Sequence, residues 1–267
     1  MTTSDLRSEI IRLGPWHHDI EVAPGVWTGE VSASATYPEE LGKPTIFPVN
    51  VGWTRLIEEL FPEGMAGRSM LDCACNGGGY LFAATALGAG RCFGFDVREH
   101  WIEQARFVQK HVPSDNIEFA VCDLADLPGR GMAPFDVTLF SGLFYHLPDP
   151  VAGLRIAADL TKELLVLNTA MSNDRRGHAL KLSLESEQEV MSGVHRLAWM
   201  PTSEHVLREI LKWCGFPHAR LYFDWTGIHG RRMQLLAARD ERTFAHLDKV
   251  HPERRSRWPR LRWPWRR

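Results

Sequence analysis

Nowhere in its 267 residues does this chain approach the roughly 20 consecutive apolar residues that span a bilayer. A membrane-spanning helix is therefore not expected. The first residues, MTTSDLRSEIIRL, are mixed polar and lack the basic-then-apolar layout of a signal peptide. Cysteine is scarce and odd in number, with five residues (Cys73, Cys75, Cys92, Cys122 and Cys214) at no framework spacing. That excludes a disulfide scaffold and points to reduced thiols in a cytoplasmic setting. No His or Cys at zinc-ligand spacing accompanies Cys73-x-Cys75, so no metal site is expected. Internal repeats are absent, as is a second glycine-rich stretch. Net charge is also small, −2, but unevenly spread. Residues 254–267 hold seven arginines, three tryptophans and no acid, which leaves the rest of the chain near −9. Such an end reads as solvated tail, or as a surface for anionic membrane or nucleic acid.

What is present centres on residues 68–97, RSMLDCACNGGGYLFAATALGAGRCFGFDV. The order is strand, glycine-rich turn, helix, strand. Ser69–Cys73 is an apolar run carrying Asp72, and Asn76-Gly77-Gly78-Gly79 is a turn where backbone can approach a ligand. A small-residue helix from Tyr80 to about Leu87 stops at Gly88 and Gly90. The second strand, Cys92–Phe95, ends on Asp96, an acid placed to accept hydrogen bonds from ribose hydroxyls. The dinucleotide fingerprint would need glycines in a different register, so a nicotinamide dehydrogenase is a distant alternative.

Before this unit, Leu6–Leu13 and Asn50–Leu60 read as helices around an aromatic, Pro/Gly-rich arm containing His17 and His18. That arm is either a cap over the site or simple packing. After it come a helix over Arg98–His111 and a strand over Ile117–Val121 leading to Asp123 and Leu124. Phe135–Phe140 is a buried strand that runs into Ser141-Gly142-Leu143-Phe144-Tyr145-His146. Ligands of open α/β sheets bind at the carboxyl ends of such strands. Ser141 and Gly142 leave room there, while Tyr145 and His146 supply a hydroxyl and an imidazole that titrates near neutrality. A helix (Val151–Leu160) and a strand (Leu164–Leu167) follow. The polar stretch 171–199 shows no clear element and reads as a substrate-facing insertion, with His195 and Trp199 as candidate acceptor contacts. A helix starting at Pro201-Thr202 precedes two strands, Ala219–Phe223 and Met233–Ala238, joined by a link over Asp224–Gly230.

The D-x-G-x-G-x-G register beginning at Asp72 has Ala74 and Asn76 in two glycine places and Gly78 in the third. It resembles motif I of the class I S-adenosylmethionine-dependent methyltransferases. With Asp96, Asp123 and the loop after the fourth strand in order, the resemblance runs from Asn50 to Asp240, about 70% of the chain. Within that class, three features are similar to the group containing the tRNA wobble-uridine carboxymethyltransferase. These are the Gly-Leu-Phe-Tyr-His-Leu loop, Trp199-Met200-Pro201, and the Trp-Cys-Gly-Phe end of the following helix.

The resemblance implies a doubly wound, Rossmann-like α/β fold: a seven-stranded, mostly parallel sheet with an antiparallel last strand. It implies S-adenosylmethionine as cofactor and S-adenosylhomocysteine as product. The cofactor's methionine part would rest on Asp72, Ala74, Asn76, Gly77 and Gly78, its ribose on Asp96 and its adenine on Asp123 and Leu124, with Asp126 in reserve. Ser141 and Gly142 would line the reacting centre, where Tyr145 and His146 position or deprotonate the acceptor. In the carboxymethyltransferase group a Tyr of this loop and an Arg entering the last strand hold a carboxylated cofactor; Tyr145 and Arg232 match those places. The expected layout is an arm or cap (1–49), a methyltransferase domain (50–240, with an insertion at 172–200) and a basic tail (241–267). The expected activity is O-methylation of a small-molecule, sugar or lipid acceptor. The alternatives are tRNA wobble-uridine (carboxy)methylation and a non-catalytic binding module on the same fold. Nothing in the spacing decides oligomeric state.

Overall fold

The computed structural model describes residues 2–36, 49–185, 192–227 and 230–252. They divide into two compact units, Met1–Gly131 with Ser186–Ser192, and Met132–Glu185 with Gly193–Arg267.

The first unit opens with α1 (Thr3–Leu13), which a reciprocal cap starts: Asp5 N donates to Thr2 Oγ1 at 3.1 Å and Thr2 N to Asp5 Oδ2 at 2.8 Å. Leu6, Ile10 and Leu13 form its buried stripe. A short antiparallel pair, β1 (Glu21–Ala23) and β2 (Val26–Trp27), turns at Pro24-Gly25 and leads to α2 (Thr28–Ala33). Then come α3 (Val49–Leu60), β3 (Met70–Cys73), α4 (Gly79–Ala86), β4 (Cys92–Asp96), α5 (Glu99–Gln109) and β5 (Ile117–Val121). Strands β3, β4 and β5 are parallel neighbours, with Asp72 opposite Gly94 and Gly94 opposite Phe119. At Gly94 helix α4 and the turn before it press on the sheet: a Cβ there would meet Leu81 Cδ1 at 2.5 Å and Cys75 Sγ at 2.9 Å. Only glycine permits that approach.

The second unit holds β6 (Phe135–Ser141), α6 (Pro150–Asp159), β7 (Thr161–Met171), β8 (Leu180–Leu184), β9 (Leu197–Pro201), α7 (Glu204–Trp213), β10 (His218–Gly227), β11 (Gly230–Ala238) and α8 (Ala245–Val250). β6 and β7 are parallel, and β11 lies antiparallel between β7 and β10. Leu164–Leu167 are wholly buried, as a strand covered on both faces requires. The strand order is β3-β4-β5 in the first unit and β10-β11-β7-β6 in the second. This is the expected Rossmann-like α/β fold, mostly parallel with β11 antiparallel beside the strand from Thr161.

Three expectations about elements need correction. Residues 171–199 are not without structure: β8 and β9 pair as a two-stranded antiparallel sheet, Leu182 opposite Trp199. Pro201 closes β9 rather than opening a helix, and α7 starts at Glu204 after Ser203. The link Asp224–Gly230 is largely strand, with Trp225 opposite Arg232 and Thr226 opposite Arg231. Asp and Gly there look like turn residues. The Asp224 carboxylate instead accepts from the buried Arg231 Nε and Nη2, both at 2.8 Å, and this fork holds the two strands in register.

Among the described residues no helix is long and apolar enough to cross a membrane. The Arg/Trp-rich segment 254–267 lies outside the described residues, so the membrane and nucleic-acid expectations for it stay as stated. Substituting Gly94→Ala is expected to lower stability by ~1–3 kcal/mol through overpacking, read as a fall in the urea midpoint at unchanged m-value.

Candidate active site

In the first unit the site is built on the exit of β3. Asp72 is almost fully buried within the strand, and the chain then reverses through three left-handed residues, Ala74 (φ 59°), Asn76 (φ 51°) and Gly78 (φ 77°). These are the places that the resemblance gives to glycine. A left-handed L-residue costs roughly 1–2 kcal/mol, so the turn needs anchors. Cys75 N donates to Phe95 O at 2.8 Å, Asn76 N to Asp96 Oδ2 at 3.3 Å and Gly78 N to Cys75 O at 2.9 Å. Asn76 Oδ1 itself accepts from Gly77 N at 2.7 Å, an offset that Ala74 lacks. Gly78 must be glycine for space as well, since a Cβ would stand 2.7 Å from the Phe119 ring.

Asp96, the last residue of β4, is buried and accepts from Asn76 N and, through Oδ1, from Arg98 N at 3.0 Å. Burial raises its pKa above the ordinary carboxylate value despite these donors. Asp72 is raised well above it, by burial first and by the Asp96 charge second. Its Oδ2 is buried with no hydrogen-bond partner among the described residues. Two carboxylates crowded into an apolar setting, one with an orphaned oxygen, form a site that a cationic ammonium or a set of hydroxyl donors would complete. The residues therefore fit an aminoacyl-nucleoside cofactor. Asp123, after β5, is already engaged: its Oδ1 accepts from Ala125 N at 2.8 Å as the cap of the turn Leu124–Arg130. Leu124 is buried beneath that turn.

The N-terminal arm reaches the same turn. His18 Nδ1 accepts from Gly79 N at 3.0 Å, satisfying one of the open donors at the start of α4. A Cβ on Gly79 would meet that nitrogen at 2.9 Å and Val49 Cγ2 at 2.6 Å. His18 is buried against Tyr80, while His17 packs edge-on against Trp101 with ring centroids 5.3 Å apart. The sequence offered the paired histidines but not their partner. That partner is the backbone of a turn 61 residues away.

The second unit carries the other candidates. Ser141 ends β6, half-buried, and Gly142 follows at φ 71° with open space where a Cβ would stand. A short turn, Phe144–His146, then sets two side chains side by side, Tyr145 and His146, with ring centroids 3.9 Å apart. Arg232, on β11, donates from Nη2 to Tyr145 Oη at 2.9 Å and lies 5.4 Å from that ring's centre. His146 Nδ1 meets Glu185 Oε2 at 2.8 Å. The sequence reading passed over Glu185 because it sits in a polar stretch without periodicity. Trp199 is half-buried on β9, its Nε1 buried with no partner among the described residues. His195 is exposed in the turn before β9. No hydrogen bond joins either of them to Tyr145, His146 or Arg232 among the described residues. The described residues hold no group of three or more His, Cys, Asp or Glu that could bind a metal.

Comparison with known proteins agrees with this layout. A family model described as "Methyltransferase domain" matches residues 65–212. A tRNA U34 carboxymethyltransferase from Campylobacter lari is 26% identical over 156 residues, 58% of this chain and 50% of that protein. Its counterpart from Campylobacter hominis is 33% identical over 91 residues, 34% of this chain and 31% of that protein. The chain thus spans half or less of the length of these curated relatives. Among solved structures, the N-terminal domain of EvdMO1 with S-adenosylhomocysteine (SAH) and D-fucose has the same fold, with a TM-score of 0.68 at 20% identity over 89% of this chain and 97% of that one. Magnesium protoporphyrin IX methyltransferase from Synechocystis, with bound S-adenosylmethionine (SAM), scores 0.54 at 19% identity over 72% of this chain and 79% of that one.

The buried His18 is held near pKa 3 rather than 6.5, by burial first and His17 second. Its folded-state value is depressed, so below about 6.5 the unfolded chain takes up a proton that the folded chain refuses. Stability therefore falls with pH in the window from about 6.5 down to 3. The loss is ~1.4 kcal/mol per unit at most. A His18→Asn variant, which keeps an acceptor but does not titrate, is expected to flatten that slope in urea midpoints taken across pH 4–7 (about the window of depressed stability).

Proposed function

The chain belongs to the methyltransferase-domain family, and from that premise we propose that it transfers a methyl group from S-adenosylmethionine to an oxygen of a small-molecule, sugar or lipid acceptor. The observation that carries the reading is the pair of buried carboxylates, Asp72 and Asp96, at a left-handed turn, with Asp72 Oδ2 unpartnered among the described residues. Asp72 and the turn through Ala74, Asn76, Gly77 and Gly78 would hold the methionine end. Asp96 would take the ribose hydroxyls, and Asp123 with Leu124 would border the adenine, Asp123 through the oxygen not used in capping. Bound S-adenosylmethionine supplies an electrophilic methyl on a sulfonium. The protein's part is then to orient the acceptor, exclude water and receive a proton. Ser141 and Gly142 give space for the acceptor, Tyr145 and Arg232 a hydrogen-bonding pair for its polar groups, and His146 an imidazole for its proton. His195 and Trp199 on the 172–200 insertion would meet the remainder of the acceptor. The EvdMO1 domain, solved in the presence of SAH and D-fucose, supports a glycan-type acceptor. Five unpaired cysteines support a cytoplasmic, reducing setting.

A second reading has an observation of its own. The hydrogen bond between Arg232 and Tyr145, the two residues that match the family's carboxylated-cofactor contacts, supports it, and the curated relatives are tRNA U34 carboxymethyltransferases. On that reading the acceptor is a wobble uridine and the tail 241–267 meets phosphate.

Calorimetric titration with S-adenosylmethionine and with its carboxylated form separates the readings. Plain S-adenosylmethionine is expected to bind, and Asp96→Ala to weaken it ~10–100-fold, the worth of charge-assisted hydrogen bonds. Preference for the carboxylated form, lost in Arg232→Ala, would replace the first reading with the second. Failure to bind either would leave a non-catalytic module on this fold. With binding established, a panel of sugars, phenols and lipid alcohols assayed for S-adenosylhomocysteine release identifies the acceptor.

A further inference from the structure

Within the second unit one carboxylate is held against an imidazole by two hydrogen bonds. Glu185 directly follows β8, and its Oε2 accepts two hydrogen bonds of 2.8 Å, one from His146 Nδ1 and one from Gly193 N. Both side chains are largely shielded, with 13% of His146 and 15% of Glu185 exposed, so the pair is only weakly screened by solvent. The backbone fixes the carboxylate from both sides of the hairpin. Glu185 N donates to Arg196 O at 3.0 Å, and Arg196 N closes a turn onto Gly193 O at 2.9 Å. Gly193 has to be glycine for this to happen: a Cβ would stand 2.7 Å from His146 Cβ and 2.9 Å from Nδ1. The chain leading back to β9 is thus pressed directly onto the imidazole.

A carboxylate accepts only, so Nδ1 carries the proton and the neutral ring presents a lone pair at Nε2. We propose that Glu185 is a positioning residue that holds His146 as a general base, and that the acceptor is therefore a hydroxyl. This rests on the methyltransferase reading and narrows it. An alkyl or sugar hydroxyl needs its proton removed as it reacts, whereas a carboxylate or thiolate acceptor would not need the dyad. The acceptor O–H proton passes to His146 Nε2, and the freed oxygen pair forms the O–C bond to the methyl carbon. The C–S bond breaks with its electrons left on sulfur, giving the neutral thioether. The imidazolium, stabilised by Glu185, then returns its proton to water.

Among the described residues, the turn that carries Gly193 also holds His195 and Arg196. Tyr145 adjoins His146 and carries Arg232. On the neighbouring α6, Arg155 pairs with Asp159, and on β7 Lys162 pairs with Asp136; Glu163 is the other charged residue of β7. β9 contributes no ionisable side chain.

The test is nitrogen-15 NMR of the full-length protein's imidazoles over pH 5–9 (about the histidine titration range), with the His146 signals assigned by their loss in His146→Asn. The wild type is expected to show the Nδ1–H tautomer, and Glu185→Gln to lower the His146 pKa by about one unit or more. Glu185→Asp, which keeps the charge, should restore part of that shift. With a hydroxyl acceptor from the panel, Glu185→Gln should lower kcat about 100-fold or more and leave the acceptor KM within about twofold. An Nε2–H tautomer in the wild type, or a His146 pKa that Glu185→Gln does not move, overturns the proposal. Calorimetry with S-adenosylmethionine on the same samples keeps the two questions apart. An intact dyad in a protein that binds no S-adenosylmethionine sinks the methyltransferase reading, and the hydroxyl-acceptor inference with it.

Discussion

Two buried carboxyl groups are the constraint around which the first unit is arranged. Asp72, next to last in β3, and Asp96, last in the parallel neighbour β4, are both buried, so neither can stay ionised without help from backbone donors or a ligand. Asp96 recruits the turn that follows the other strand, taking Asn76 N, and so ties the left-handed reversal to the sheet. Asp72 keeps an oxygen without a partner among the described residues. The strain of Ala74 and Asn76, the close seat of Gly78 on Phe119 and the burial of His18 on Gly79 all follow from holding that turn in one shape. A turn with two non-glycine residues at positive φ is stiffer than its all-glycine counterpart, because fewer alternative backbone states compete with it.

The second unit solves a different problem, that of fixing an imidazole. Rings on a short turn after a strand have little to orient them locally. Tyr145 takes Arg232 from β11, and His146 takes Glu185 from the end of β8. Each partner comes from an antiparallel element, and the two antiparallel pairs, β10–β11 and β8–β9, are what set this unit apart from plain alternation of strand and helix. The Arg231–Asp224 fork extends β10 past a sequence that looks like a turn and so carries Arg232 to the height of Tyr145.

Much of this was legible without coordinates. The short apolar runs, the small-residue helix and the acid at each strand tip determine a parallel α/β core, since buried parallel strands and their crossover helices impose those patterns locally. Pro201 and the Asp224–Gly230 link were misread for one reason. By local propensity proline signals a helix start and Asp and Gly signal turns, and a strand end or a cross-strand ion pair overrides those signals.

The sequence by itself determined the order of strands and helices, the glycine-rich turn and the acids Asp72, Asp96 and Asp123 that mark it, because each is a pattern within a few residues of chain. Only the tertiary structure decided that His18 faces Gly79 rather than a ligand, that Asp123 caps its own turn, and that Glu185 and Arg232 are the partners of His146 and Tyr145. The physical reason is separation: those contacts join residues 39 to 87 positions apart, or, for Asp123, depend on which of two local bonds the fold leaves open. Residue type and spacing carry no record of either.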